Sequence, residues 1–219
     1  MLVKDCMMRH PAMISPDAQA TEAQQVMAEN KIHHLPVVGD GKRLVGLLTH
    51  RRLALEPDKL GSLDVWEIGR YLHGLKVKKI MIPAEQVHTI EPDRTIERAA
   101  RYLEEFEIGC LPVVDEDDVV VGLITETDLL RSYQEMLGLP VPGVRVTMRM
   151  PDQFGEFNKL MGIMGEHKLC VMGVGTYPSP RKDGYYDAVF KISEATLSEV
   201  EAILSKVPGQ EIIDIRDVS

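Results

Sequence analysis

Cysteine is scarce in this chain and shows no pairing pattern: Cys6, Cys110 and Cys170 are odd in number, far apart, and form no CxxC pair. That excludes the disulfide framework of small secreted domains and fits a reducing compartment, with the three thiols read as small core residues. Long apolar runs are missing too, since nothing approaches the roughly 18 residues a membrane-spanning helix needs. The stretch Met1–Met13 carries Lys4, Asp5, Arg9 and His10 among its apolar residues. No secretory signal is expected there, and a cytoplasmic location is the default. A surplus of positive charge is also lacking: 25 Lys and Arg stand against 34 Asp and Glu, a net charge of −9. Nucleic acid is therefore not an expected partner, although a local basic pocket for one small anion stays compatible with the composition. Common catalytic signatures are absent, with no G-x-S-x-G elbow and no phosphate loop. Gly173-Val-Gly175 is a GxG fragment without a third glycine or a following helix. Cys110 lies in a buried-looking run that disfavours its thiolate. No enzyme is expected.

What is present is a duplication. Pro16, Pro36 and Gly46 recur as Pro92, Pro112 and Gly122 at a constant spacing of 76 residues, within matching segments. Leu35-Pro-Val-Val38 matches Leu111-Pro-Val-Val114, and Gly46-Leu-Leu-Thr49 matches Gly122-Leu-Ile-Thr125. Upstream, Val3-Lys-Asp-Cys-Met7 matches Val77-Lys-Lys-Ile-Met81 at a spacing of 74, a two-residue difference that a surface loop tolerates. In the second copy Asp93 is a candidate N-cap for a helix burying Ile96, Ala99, Ala100 and Leu103. Two strands follow, Cys110 to Val114 and Val119 to Ile124, joined at the acidic turn Asp115–Asp118. Thr125 opens a further helix with Leu129 and Leu130 facing inward. Each copy thus runs strand, helix, strand, strand, helix. Neither is long enough for a good core alone, so the two should pack about a pseudo-twofold axis. A connector over Ala54–Lys76 is expected to include an amphipathic helix bearing Trp66, Ile68, Tyr71 and Leu72.

After Gly138 the pattern changes. Val144, Val146, Met148 and Met150 alternate with polar residues as a half-buried strand, and Phe157, Leu160, Met161 and Met164 have helical spacing. Strands near Cys170–Thr176 and Tyr186–Ile192, a helix Thr196–Lys206 and a strand Glu211–Asp217 complete the order β-α-β-β-α-β of a ferredoxin-like sandwich. The expected partition is 1–76 for the first repeat with its connector, 77–138 for the second, 139–143 as linker and 144–219 as the C-terminal domain.

The duplicated Leu-Pro-Val-Val and Gly-h-h-Thr steps, with Gly122-Leu-Ile-Thr-Glu-Thr-Asp128 in copy two, make residues Leu2–Arg131 resemble paired cystathionine β-synthase (CBS) domains, a Bateman module. The strand order of Val144–Val218 and Pro151-Asp-Gln-Phe-Gly155 resemble an ACT domain, whose members more often carry Asp-x-Pro-Gly there. The combination, with Leu130–Gly138, is similar to acetoin-utilisation regulatory proteins. The resemblance implies an α/β (α+β) fold of two CBS repeats plus an ACT-like sandwich. It also implies an adenosine nucleotide such as AMP or ATP as regulatory ligand rather than cofactor, homodimers or higher homo-oligomers, and a separate regulated enzyme.

In that resemblance Thr125 and Asp128 take phosphate and ribose, and backbone groups of His88, Thr89, Ile90, Leu111 and Pro112 take adenine. A carboxylate can accept hydrogen bonds from both ribose hydroxyls, and a helix start favours an anion. Thr125-x-x-Asp128 is equally a helix capping box needing no ligand. Copy one has Thr49-His-Arg-Arg52 instead. Arg52 cannot accept from ribose, so Thr49, Arg51 and Arg52 are candidates for phosphate, or for a solvated basic helix start. The ACT resemblance places a small ligand such as an amino acid near Asp152, Gly155 and Glu156. Adjacent His33 and His34 lack further ligands at metal spacing, and Asp115–Asp118 lacks the glycine a calcium loop needs, so no metal is expected. The competing class is an oligomerisation adaptor whose clefts are vestigial.

Overall fold

The computed structural model describes residues 1–53, 74–139 and 141–218. Contacts divide the chain into two compact units, Met1–Leu129 and Leu130–Ser219. The expected connector helix around Trp66 lies outside the described residues.

In the first unit, copy one contributes α1 (Val3–Cys6), β1 (Met8–Arg9), α2 (Ala20–Asn30), β2 (His34–Val38), β3 (Leu44–Thr49) and α3 (His50–Leu53). Copy two contributes β4 (Ile82–Pro83), α4 (Ile96–Glu105), β5 (Cys110–Val114), β6 (Val120–Thr125) and α5 (Glu126–Met136), the last running on into the second unit. The two main helices bury equivalent stripes, Ala20, Ala23 and Met27 in α2 and Ile96, Ala99 and Leu103 in α4, the 3–4 spacing of one apolar face. The N-cap of α4 is Thr95 rather than Asp93. Thr95 Oγ1 accepts from the Arg98 amide at 3.3 Å, while Asp93 sits in the preceding turn and pairs with Lys4 Nζ at 2.5 Å. A cap has to precede the first helical residue directly, and the turn carries Asp93 past that point. Leu129 is buried, but Leu130 is 63% exposed, because consecutive helical residues sit about 100° apart and only one can face the core.

The short strands are exchanged. β4 of copy two pairs with β3 of copy one (Gly46 opposite Pro83, Leu47 opposite Ile82), and β1 of copy one pairs with β6 of copy two (Met8 opposite Leu123, Arg9 opposite Gly122). Each three-stranded sheet, β2-β3-β4 and β1-β6-β5, therefore needs a strand from the other repeat. The glycine of each Gly-h-h-Thr step makes room for this. A Cβ on Gly46 would lie 2.5 Å from the Ile82 carbonyl oxygen and 2.8 Å from Met81 Sδ, and one on Gly122 would collide with Met7 Sδ. Neither glycine has a positive φ, so it is the missing side chain, not backbone freedom, that matters here. The equivalent residues Leu47 and Leu123 meet with Cys110 in one buried cluster between the repeats, and burial pushes the Cys110 thiol up to about 12.

The second unit contains β7 (Gly143–Pro151), α6 (Glu156–Glu166), β8 (Cys170–Pro178), β9 (Tyr185–Ser193), α7 (Leu197–Leu204) and β10 (Glu211–Val218). The sheet order β10-β7-β9-β8, antiparallel throughout, is the expected ferredoxin-like arrangement. Val144, Val146, Met148, Met150, Ala188, Phe190 and Ile192 alternate inward and pack against Leu160, Met164, Val200 and Leu204 of the helices. Phe157 and Cys170 are exposed rather than core, the latter because it starts the edge strand β8.

On the opposite face Thr147, Asp187, Lys191 and Ser193 are buried although polar. Leu137 and Gly138 lie against β8 there: a Cβ on Gly173 would stand 2.7 Å from both the Gly138 nitrogen and the Leu137 oxygen. The GxG fragment thus has a packing cause, since only bare backbone lets the chain after α5 approach β8 so closely. Asp187 accepts from Arg149 Nε and Nη2 at 2.8 and 2.9 Å. This planar two-point pairing holds the carboxyl below its usual range. Among the described residues no helix is long and apolar enough to cross a membrane.

The exchanged strands predict unequal glycine effects. Gly46→Ala must displace backbone, whereas Gly122→Ala must displace a flexible methionine end. Gly46→Ala is expected to destabilise the first unit by about 1–3 kcal/mol, and Gly122→Ala by less, as read from urea unfolding midpoints.

Candidate functional site

The segment entering copy two's helix runs parallel to β5, with Ile90 opposite Val113. The Ile90 amide donates to the Pro112 carbonyl at 3.1 Å, and the Val114 amide donates to the Ile90 carbonyl at 3.1 Å. β5 is an edge strand, where a proline without an N–H is tolerated. β6 then sets Thr125 opposite Cys110 and Ile124 opposite Leu111. Thr125 thus closes the open end of the hairpin beside Leu111, with Asp128 one helical turn on, while Ile90 lies opposite Val113 nearer the turn. The Ile90 and Leu111 side chains are buried in the core, so they offer a ligand only their backbone edge. The backbone groups of Ile90 are already used, but those of His88 and Thr89 have no backbone partner among the described residues. The His88 ring stacks on Phe106 at 3.6 Å, a contact that helix periodicity did not foretell.

Thr125 and Asp128 form a reciprocal box. The Thr125 amide and hydroxyl donate to Asp128 Oδ2 at 2.9 and 2.7 Å, and the Asp128 amide donates to Thr125 Oγ1 at 3.3 Å. Thr196 and Glu199 at the start of α7 repeat this arrangement at 2.9, 2.7 and 3.3 Å. The box is therefore what a capped helix start requires by itself, and a ligand function has to come from what surrounds it.

At the equivalent end of copy one, Thr49 closes β3 opposite His34, and Arg51 and Arg52 are exposed on α3. Two pairs of positions distinguish the ends, with His33 and His50 in copy one facing Gly109 and Glu126 as counterparts in copy two. The His33 and His50 rings meet edge-on at 5.6 Å. His34, half-buried, crosses to the second copy, its Nε2 3.3 Å from where a Cβ on Gly109 would stand, with Glu126 Oε2 3.7 Å from the same point. Burial, then the His33 charge, push the His34 pKa down, and Glu126 opposes them. Among the described residues no group of three or more His, Cys, Asp or Glu converges as for a metal.

In the second unit, Asp152 is exposed and its amide donates to the Gly184 carbonyl at 2.9 Å. Gly155 has φ +87° with no atom within 4 Å of a Cβ position, so its glycine serves the left-handed turn before α6. Glu156 is engaged by Lys159 Nζ at 2.6 Å and Gln210 Nε2 at 3.0 Å, which hold its carboxyl below the usual range. Phe154 between them is fully exposed.

Comparison with known families matches the CBS domain twice, over residues 3–57 and 77–135, about half of the chain. A solved chain assigned to acetoin utilization (AcuB) from Vibrio cholerae is 28% identical, covering 64% of this chain and 95% of its own, with a TM-score of 0.52. CBSX2 of Arabidopsis thaliana, solved in complex with AMP, is 27% identical and covers 60% of this chain and 95% of its own, with a TM-score of 0.50. Among curated proteins, homoserine O-acetyltransferase of Methanohalobium evestigatum is 34% identical over 137 residues, which are 61% of this chain and 24% of the relative. The chain spans about a quarter of the length of the curated relatives it matches.

The His34 environment predicts a pH dependence. A histidine whose pKa is lowered on folding binds its proton more readily unfolded, so its contribution to stability is present above 6.5 and is lost as pH falls below it. The melting temperature of the first unit should fall between about pH 7.5 and 5.5, and the fall should be shallower in His34→Gln.

Proposed function

The chain belongs to the CBS-domain family, and from this we propose that it is a non-catalytic regulator holding an adenosine nucleotide or derivative, AMP or ATP among them, in the cleft of its second repeat. The observation that carries the reading is the Asp128 box at the open end of the β5–β6 hairpin, together with the segment running parallel to β5 in which the backbone groups of His88 and Thr89 have no backbone partner among the described residues. Asp128 is assigned to the ribose hydroxyls, Thr125 to phosphate, and the backbone of His88 and Thr89 to the base, with Ile90, Leu111 and Pro112 forming the strand edge beside it. The binding of AMP by CBSX2 supports the ligand class. In copy one, Thr49, Arg51 and Arg52 are proposed to meet phosphate rather than ribose. In the second unit Asp152, Gly155 and Glu156 are proposed to border a small-ligand loop, amino acids being the class to try. The protein acts as a homo-oligomer on a separate enzyme by changing the packing of its repeats, which requires that ligand prefer one arrangement over the other. A second reading is favoured by the recurrence of the same box at Thr196–Glu199: an adaptor in which Asp128 serves only as a cap.

The test is thermal melting with AMP, ADP, ATP, S-adenosylmethionine and amino acids. A ligand at 100 times its Kd should stabilise by about 2.7 kcal/mol, and Asp128→Ala should remove most of the shift. An undiminished shift assigns Asp128 to capping alone, and no shift with any adenosine compound selects the adaptor.

A further inference from the structure

The second repeat carries a groove of about 540 Å³ along the flank of α4, between the helix and the His88 segment. Its size falls in the range of small-molecule sites. One wall is aromatic. The His88 ring lies flat on Phe106 at 3.6 Å with 10° between planes, and Tyr102 meets Phe106 edge-on at 5.7 Å. The same helix also brings charge to the groove, with Arg98, Arg101 and Glu105 among its lining. The Arg98 guanidinium sits 4.8 Å over the Tyr102 ring and donates to its hydroxyl at 2.7 Å, while Arg101 reaches Glu105 only at 3.5 Å with both side chains largely exposed. An exposed pair of that kind binds its arginine weakly.

The duplication supplies an internal control. The inward faces of the two helices correspond position for position, Ala20, Ala23 and Met27 against Ile96, Ala99 and Leu103, and all six are buried. The outward positions do not correspond in chemistry. Where copy two has His88, Arg98, Arg101, Tyr102 and Phe106, copy one has Ala12, Glu22, Gln25, Val26 and Asn30. The fold is thus built without these groups in one repeat, so packing does not call for them in the other. Phe106 is moreover left exposed, and two arginines against one glutamate line the groove beside it in a chain of net charge −9.

We propose that this groove is a second ligand site, adjoining the adenosine cleft along the His88–Thr89 segment, for a planar aromatic anion whose ring lies on the His88–Phe106–Tyr102 wall and whose phosphate or carboxylate is held by Arg98 and Arg101. Stacking and guanidinium recognition of an anion each match what the lining offers. The proposal does not rest on the cleft reading, because Arg98, Arg101, Tyr102 and Phe106 have no role there, and His88, whose backbone is assigned to the base, enters here through its ring.

The experiment is titration of the full chain, by calorimetry and by aromatic-ring NMR, with two probes that are not adenosine compounds: UMP for a phosphate and 4-hydroxybenzoate for a carboxylate. Saturable binding of either probe is expected, with shifts at the His88 and Phe106 rings. Arg98→Gln with Arg101→Gln should weaken it about tenfold or more, the loss of a charge-assisted contact. Asp128→Ala should leave it unchanged. These substitutions are at the surface, and circular dichroism checks that each variant is folded; Arg98→Lys with Arg101→Lys, keeping charge without the planar fork, should restore only part of the affinity. Which probe binds tells phosphate from carboxylate. Failure of both probes to saturate at millimolar concentration, or binding that ignores the arginine pair, or binding that is lost in Asp128→Ala, overturns the proposal.

Discussion

Neither repeat completes its own sheet. β1 of copy one lies on β6 of copy two, and β4 of copy two lies on β3 of copy one. With two residues each, these strands add few ladder bonds, and the exchange is held as well by backbone bonds of the flanking segments, Val3 and Lys4 to Arg94 and Pro92 and Val77 and Lys78 to Ala18 and Pro16, and by the side chains carried across. Met7 and Met81 fill the gaps that Gly122 and Gly46 leave open, and methionine, unbranched and polarizable, suits an irregular gap. Leu47 and Leu123, equivalent by the repeat, complete the contact at the centre with Cys110. The unit therefore folds as a pair, and everything said of either end of its hairpins presupposes the exchange.

Within that frame the two copies have diverged where it costs the core nothing. The buried stripes of α2 and α4 correspond, whereas the hairpin ends carry opposite chemistry. Copy one presents His33, His34, His50, Arg51 and Arg52, and copy two presents Gly109, Cys110, Glu126 and Asp128. His34 crosses toward Glu126 over the bare backbone of Gly109, so the basic end of one repeat is answered by the acidic end of the other. A side chain at 109 would close that approach. Opposite charges at the two ends also mean that one ligand chemistry cannot suit both, which agrees with a nucleoside assigned to the acidic end and phosphate to the basic one.

Much of this was legible before any coordinates. The duplication, the hairpins, the buried stripe of α4 and the β-α-β-β-α-β order all follow from periodicity and turn chemistry, because each spans enough residues for a pattern to repeat. The exchange of β1 and β4 was not legible, since a two-residue strand has no periodicity and its partner is far along the chain. Thr95 displaced Asp93 as cap because both are good capping residues and the turn geometry, not residue type, chooses between them. Gly173-Val-Gly175 carries no motif signal in the sequence because its cause is backbone lying on backbone, which only the fold brings about. At the candidate site, the Thr125–Asp128 box could be read directly. The stacking of His88 on Phe106 could not, although the contrast with Ala12 and Asn30 in the sister copy was a signal available in the sequence.

The same exchange gives a physical route from a ligand to the packing of the repeats. β6 pairs with β1 at Gly122 and Leu123 and ends two residues later at Thr125, a distance of about 7 Å along an extended strand. A group bound at Thr125 and Asp128 thus acts on a short, stiff segment whose other side holds the strand of the first repeat. Close-packed contacts such as Leu47 on Leu123 shift between discrete arrangements more readily than they stretch. If adenosine binding fixes the position of Thr125, the displacement passes to β1 and to α1 behind it, whose Val3 and Lys4 amides are tied to the Arg94 and Pro92 carbonyls at the entry to α4. The regulatory consequence is then carried by the joint between the repeats, in which Met7 fills the space that Gly122 leaves open.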